Sequence, residues 1–147
     1  MKTISYDEKY LIPCAKLLMQ HYNSADFNCQ FSEERAGNYL QELILKPRFV
    51  GGLLIDQNNL VGFVFGHVRT WSVADELYLD EFIIDATTKK SGLDLKLLDF
   101  MTKHCTNLSL AGMTAMTNVI ALADFYQKND FLSHEITFLY KGLKKLN

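Results

Sequence analysis

The chain has 147 residues, 48% hydrophobic and 22% charged, enough to enclose one core and ordinary for a soluble globular domain. A net charge of −2 and a pI near 6.1 exclude a global basic field aimed at nucleic acid. No apolar run approaches the ~20 residues of a membrane span, and "MKTISYDEKY" lacks the apolar core of an export signal, so no membrane association is expected. In chain order, Leu11, Ala15, Leu18 and Tyr22 recur at helical spacing, with Pro13 tolerable only in a first turn. Ser32 is placed to cap a second helix whose apolar face is Ala36, Leu40, Leu43 and Ile44. "RFVGGLLI", "DQNN" and "LVGFVFGHV" read as two strands around a tight polar turn. "ELYLDEFIID" is a third long strand, residues 91–105 a helix, and "MTAMT" a short strand. "VIALADFYQK" is a further helix and "HEITFLYKGL" a final strand. Strands apolar on both faces, interleaved with helices, predict a single α/β domain over residues 1–147, its sheet covered on both sides.

Three cysteines (Cys14, Cys29, Cys105) and four histidines (His21, His67, His104, His134) are scattered without ligand spacing. That pattern predicts free thiols in a reducing cytoplasm and no metal site.

Three stretches carry chemistry. In "EFIIDATTKKSGLDLKLLDF" a strand feeds a basic turn and then a helix, whose first N–H groups and dipole suit a phosphate. Gly92 allows close approach, and Lys89 and Lys90 add charge. The competing reading is an ordinary capping box, Ser91-x-x-Asp94, before an apolar run. In "TNVIALADFYQKNDF", Asn118 ends a strand and is placed to cap the helix that carries Tyr126. A tyrosine, with an ordinary pKa of about 10, stays protonated at neutral pH and can donate to a departing thiolate, although most helix tyrosines simply sit at a core edge. In "YLDEF", Asp80 and Glu81 adjoin in an apolar strand, where neighbours face opposite sides unless a bulge intervenes. The apolar alternation changes phase here, from Leu77 and Leu79 to Phe82 and Ile84, as a bulge would make it. Buried carboxylates need partners, and a cationic amine would serve; the plainer reading is a pair of sheet-end carboxylates that face water or a structural Lys or Arg.

In order and spacing these stretches resemble the GNAT superfamily of N-acetyltransferases, which move acetyl from acetyl-CoA to an amine. Lys89, Gly92 and Asp94 stand at the marked positions of its Arg/Gln-x-x-Gly-x-Gly/Ala motif. Asn118, Ala121, Phe125, Tyr126, Lys128 and Phe131 meet its later motif, with Asp130 in place of a glycine. "YLDEF" is most similar to the same strand in polyamine acetyltransferases. The resemblance implies a mixed, mostly antiparallel central sheet with helices on both faces. It also implies direct acetyl transfer, in a ternary complex, to a primary amine that is a small, cationic, polyamine-like molecule. Phe82, Ile83 and Ile84 would pair with the pantetheine arm, and Lys89, Lys90, Ser91, Gly92, Leu93, Asp94 and Leu95 would wrap the pyrophosphate. Asn118 and Lys128 would line the CoA side. Tyr126 would protonate the thiolate, Asp80 would take the amine's proton directly or through water, and Glu81 would orient it. Homodimers are common in the superfamily. Lys89 supplies a compact charge where Arg or Gln is usual, and Asp94 puts a carboxylate where almost no side chain stands. Asp94 and Asp130 keep a second reading open, a GNAT-fold module that binds a ligand or protein partner without catalysis.

Overall fold

The stripe expected at the start of the chain forms α1, Leu11–Tyr22, which buries Cys14, Ala15, Leu17 and Leu18. A short 3-10 turn, Glu8–Tyr10, leads into it, with the Asp7 side chain accepting from the Lys9 N–H. This is a computed structural model that describes residues 1–88, 90–117 and 119–145. Helix α2, Glu33–Ile44, starts as expected at Ser32, whose hydroxyl accepts from the Arg35 N–H at 3.1 Å. Two glutamates in its first turn complement the helix dipole.

Residues Met1–Ala115 form one compact unit and Met116–Asn147 a second. The first holds a five-stranded sheet in the order β1-β2-β3-β4-β5. Strands β1 (Lys2–Ser5), β2 (Phe49–Asp56), β3 (Asn59–Arg69) and β4 (Glu76–Ile84) pair antiparallel in sequence order. Strand β5, Met113–Ala115, joins β4 in parallel after the crossover through α3, Leu93–Asn107. The β2–β3 turn is Gln57-Asn58, both at positive φ (48° and 71°), the two-residue geometry that matches strand twist.

Helices α1 and α2 cover one sheet face, where Leu18 and Leu40 join Leu53, Phe63, Phe65 and Ile83 in the core. Each such side chain contributes roughly 1.5–3 kcal/mol by leaving water. Helix α3 covers the other face, its Phe100 ring lying over Gly52 and its Met101 methyl against Gly66. The architecture is thus the α/β one expected, a mixed and mostly antiparallel sheet with helices on both faces.

Two expectations fail at the ends of the chain. Strand β1 was not foreseen, since four residues with one aliphatic side chain make no alternation. Residues 134–143, expected as a strand, are in none. Ile136, Phe138 and Tyr140 alternate as a strand would, yet they are exposed, because alternation without a pairing partner forms no ladder.

Candidate active site

The acidic pair sits at a bulge in β4. Phe65 pairs with Glu81 and Gly66 with Leu79, which leaves Asp80 as an extra residue. The bulge turns both carboxylates toward the α1–α2 face instead of splitting them across the sheet. Gly66 permits this packing, since a Cβ there would fall 2.6 Å from the Tyr78 carbonyl oxygen.

Each acid has its own partners. Glu81 is 7% exposed and accepts from two phenols: Tyr22, at the end of α1, at 2.8 Å, and Tyr39, on α2, at 2.5 Å. Burial pushes the Glu81 carboxyl above its ordinary range, against the opposing pull of the Tyr39 and Tyr22 hydrogen bonds. The same burial, with the Glu81 charge added, raises both tyrosines. Asp80, its side chain 6% exposed, meets Lys46 Nζ at 3.0 Å through one oxygen and His67 Nδ1 at 2.7 Å through the other. His67 lies two and four residues beyond Phe65 and Phe63, on the same face. Lys46 comes from the segment just after α2.

Lys46, His67, Tyr22 and Tyr39 were not among the expected site residues. A signal existed for the tyrosines, because a phenol on a core-facing stripe needs a buried partner. His67 likewise continues the inward alternation of Phe63 and Phe65, where a polar ring needs one too.

The stretch expected to hold the cofactor starts in the last residues of β4 and runs beyond it. Phe82 and Ile83 are buried in the strand, and the β5 pairing runs from Leu77 to Leu79, so Ile83 and Ile84 lie beyond its last pair. Asp85 then closes a turn, its carboxylate accepting from the Thr87 N–H and hydroxyl. Lys90 reaches Asp56 at 3.3 Å, an exposed pair worth little by itself. Lys89 lies outside the described residues.

The capping box does not form. Helix α3 begins at Leu93 with Gly92 as its N-cap, at φ 77° and ψ 10°, and no side chain caps it. That left-handed conformation favours glycine, and a Cβ there would meet nothing, so backbone geometry rather than crowding selects it. Ser91 and Leu95 are exposed, Leu93 is buried, and Asp94 turns its Oδ1 onto the Leu95 N–H at 2.8 Å. The Asp94 carboxylate therefore lies beside the N–H groups a phosphate would use.

The second unit carries α4, Ile120–Lys128, with Val119 as N-cap and no side-chain cap. Asn118, expected to cap it, lies outside the described residues. Tyr126 is buried, its ring 4.8 Å from that of Phe131 and 5.7 Å from that of Phe125. Lys128 is exposed in the last turn. Asp130, where the superfamily motif has glycine, takes φ 71° just past the helix end, and the Phe131 N–H bonds the Tyr126 carbonyl at 3.1 Å. The position needs a left-handed residue, a conformation that aspartate adopts more readily than most.

No family model and no curated protein sequence matches the chain. Solved structures do. A probable acetyltransferase superimposes with a TM-score of 0.79 at 14% identity, over 100% of both chains. An aminoglycoside acetyltransferase from an uncultured soil metagenomic sample, solved with sisomicin, gives 0.75 at 17% identity, over 97% of this chain and 96% of that one. The aminoglycoside N-acetyltransferase AAC(6')-Iy, solved with CoA, gives 0.76 at 12% identity, over 97% and 95%. The chain has the fold of these GNAT-like acetyltransferases.

Proposed function

We propose that residues 1–147 act as one cytoplasmic acyltransferase domain that moves acetyl from acetyl-CoA to a primary amine by direct attack in a ternary complex. The observation that carries this reading is the β4 bulge, which holds two carboxylates on one face just before the predicted pantetheine-pairing residues Phe82, Ile83 and Ile84. Ile84 leads into the turn that ends at left-handed Gly92, where Lys89, Lys90, Ser91, Gly92, Leu93, Asp94 and Leu95 are assigned to the pyrophosphate. Asn118 and Lys128 are assigned to the rest of CoA. Asp80 serves the proton of the attacking amine, Glu81 holds the bulge in place, and Tyr126 protonates the departing thiolate.

The acceptor is a small cationic amine of polyamine type. The "YLDEF" strand supports this, and so do structural neighbours that act on aminoglycosides, which carry several amines on a polar frame. The pair already has partners inside the fold, Lys46 and His67 for Asp80 and two hydrogen-bonding phenols for Glu81. The acids therefore serve proton transfer and geometry more than long-range attraction.

A non-catalytic GNAT-fold module remains the rival reading, favoured by Asp94 lying on the helix N–H groups. Two measurements separate them: thermal stabilisation by acetyl-CoA, and release of CoA thiol across a panel of polyamines, aminoglycosides and arylalkylamines. The enzyme gives both; a module gives no thiol with any amine. Tyr126→Phe keeps the ring and removes the proton donor, so kcat should fall ~10²–10⁴-fold with acetyl-CoA affinity unchanged. Unchanged kcat would remove Tyr126 from the chemistry.

A further inference from the structure

We propose that His67 is the group that takes the proton from the attacking amine, and that Asp80 acts through it as a positioning residue. The inference rests on the acetyl-transfer reading above and names the base within it.

Both Asp80 oxygens are already engaged, one by Lys46 at 3.0 Å and the other by His67 at 2.7 Å. The carboxylate is also almost sealed, with 6% of its side chain exposed against 20% for His67. An amine arriving from solvent thus meets the imidazole before the acid. A carboxylate only accepts, so Nδ1 carries the proton and donates it to Asp80, and the lone pair of the neutral ring is on Nε2. Among the described residues the only hydrogen bond of the His67 ring is through Nδ1, and Nε2 has no partner. A histidine oriented through one nitrogen and open at the other is the arrangement a general base needs. Lys46 fixes the first oxygen, which leaves Asp80 one orientation toward the ring.

The proton balance closes. Nitrogen bonds to the acetyl carbon, the carbon–sulfur bond breaks, and an alkylammonium acceptor loses two protons in becoming an amide. One is balanced by the proton the thiolate receives, and the other leaves through Nε2 to solvent.

Asp80→Asn tests the geometry sharply. Lys46 donates, so it holds the amide oxygen, and the amide NH₂ is left facing His67. Nδ1 then accepts, and the proton moves to Nε2, where it blocks the base. Nitrogen-15 NMR of the wild-type imidazole should show the Nδ1–H tautomer, and Asp80→Asn the Nε2–H tautomer. A wild-type ring carrying its proton on Nε2 overturns the proposal whether or not any activity is found.

Kinetics provide the second arm. His67→Gln and Asp80→Asn should each lower kcat ~10²–10⁴-fold while leaving the KM for acetyl-CoA unchanged, and imidazole should restore part of the rate to His67→Ala. If the wild type releases thiol with an amine and folded His67→Gln keeps its kcat, His67 is not the base and the acetyl-transfer reading stands. If the wild type transfers acetyl to no amine in the panel, that reading fails and this one with it.

Discussion

The β4 bulge and the turn before α3 are built in opposite ways. At the bulge, side chains cross-link four elements: Glu81 is held by α1 and α2, and Asp80 by β3 and the segment after α2. The turn presents mainly backbone: a left-handed glycine and the first N–H groups of a helix, the Leu95 N–H taken by the Asp94 carboxylate. The first should tolerate little change, because buried polar atoms must keep their partners. The second is tolerant, since the N–H groups persist whichever side chains flank them. Substitutions at the bulge should therefore cost stability or rate, and substitutions at the turn should tune affinity.

The largest stability effect expected from this contrast is at Tyr39. Tyr39→Phe removes one of the two phenols on Glu81 and should lower the unfolding free energy by ~1–3 kcal/mol in denaturant titration. A loss near zero would mean that the bulge does not depend on its cross-links.

A pH series sharpens the same point. Burial, ahead of every other cause, raises the Glu81 carboxyl above its ordinary value. The native state therefore binds that proton more tightly than the unfolded chain does. The resulting stabilisation is fully present below the unfolded value of about 4.3 and is lost as pH rises through the raised native value. Glu81→Gln lacks this loss. The difference in Tm, variant minus wild type, should grow in favour of Gln as pH rises from below about 4.3, and a difference flat with pH would contradict it.

The turn offers the smallest effect. Asp94 favours the helix dipole but opposes a pyrophosphate at the same end. Asp94→Gly should tighten acetyl-CoA by up to about tenfold in low-salt calorimetry, and should cost up to ~1 kcal/mol of helix stability. Equal or weaker binding would show that the carboxylate is not turned toward the phosphates.

The same contrast explains what could be read from the chain. Local features were legible: the Ser32 cap, the polar hairpin turn, and even the bulge, which shows as a phase change between Leu79 and Phe82, whereas the helix expected from residue 91 starts two residues later, after left-handed Gly92. The partners of the acids were not. Tyr22, Tyr39 and Lys46 lie 59, 42 and 34 residues from the acids they bind, and His67 lies 13 away across the hairpin. Each of those contacts depends on register and on helix placement, which periodicity does not specify. The missed β1 and the misassigned residues 134–143 fail for the same reason, because a strand is defined by the neighbour it pairs with. Asp94 was visible as a departure from the superfamily motif, but the turn of its carboxylate onto the Leu95 N–H depends on a side-chain rotamer that sequence does not specify.

The proposed division of labour, acceptor chemistry at the bulge and cofactor binding at the turn, is tested most directly by one crossed measurement on Asp80→Asn. Its affinity for acetyl-CoA is measured by calorimetry, and its kcat with the best amine of the panel by thiol release. The account predicts wild-type acetyl-CoA affinity together with a kcat lower by ~10²–10⁴-fold. Loss of acetyl-CoA binding in step with the loss of rate, in a protein that still folds, would contradict it.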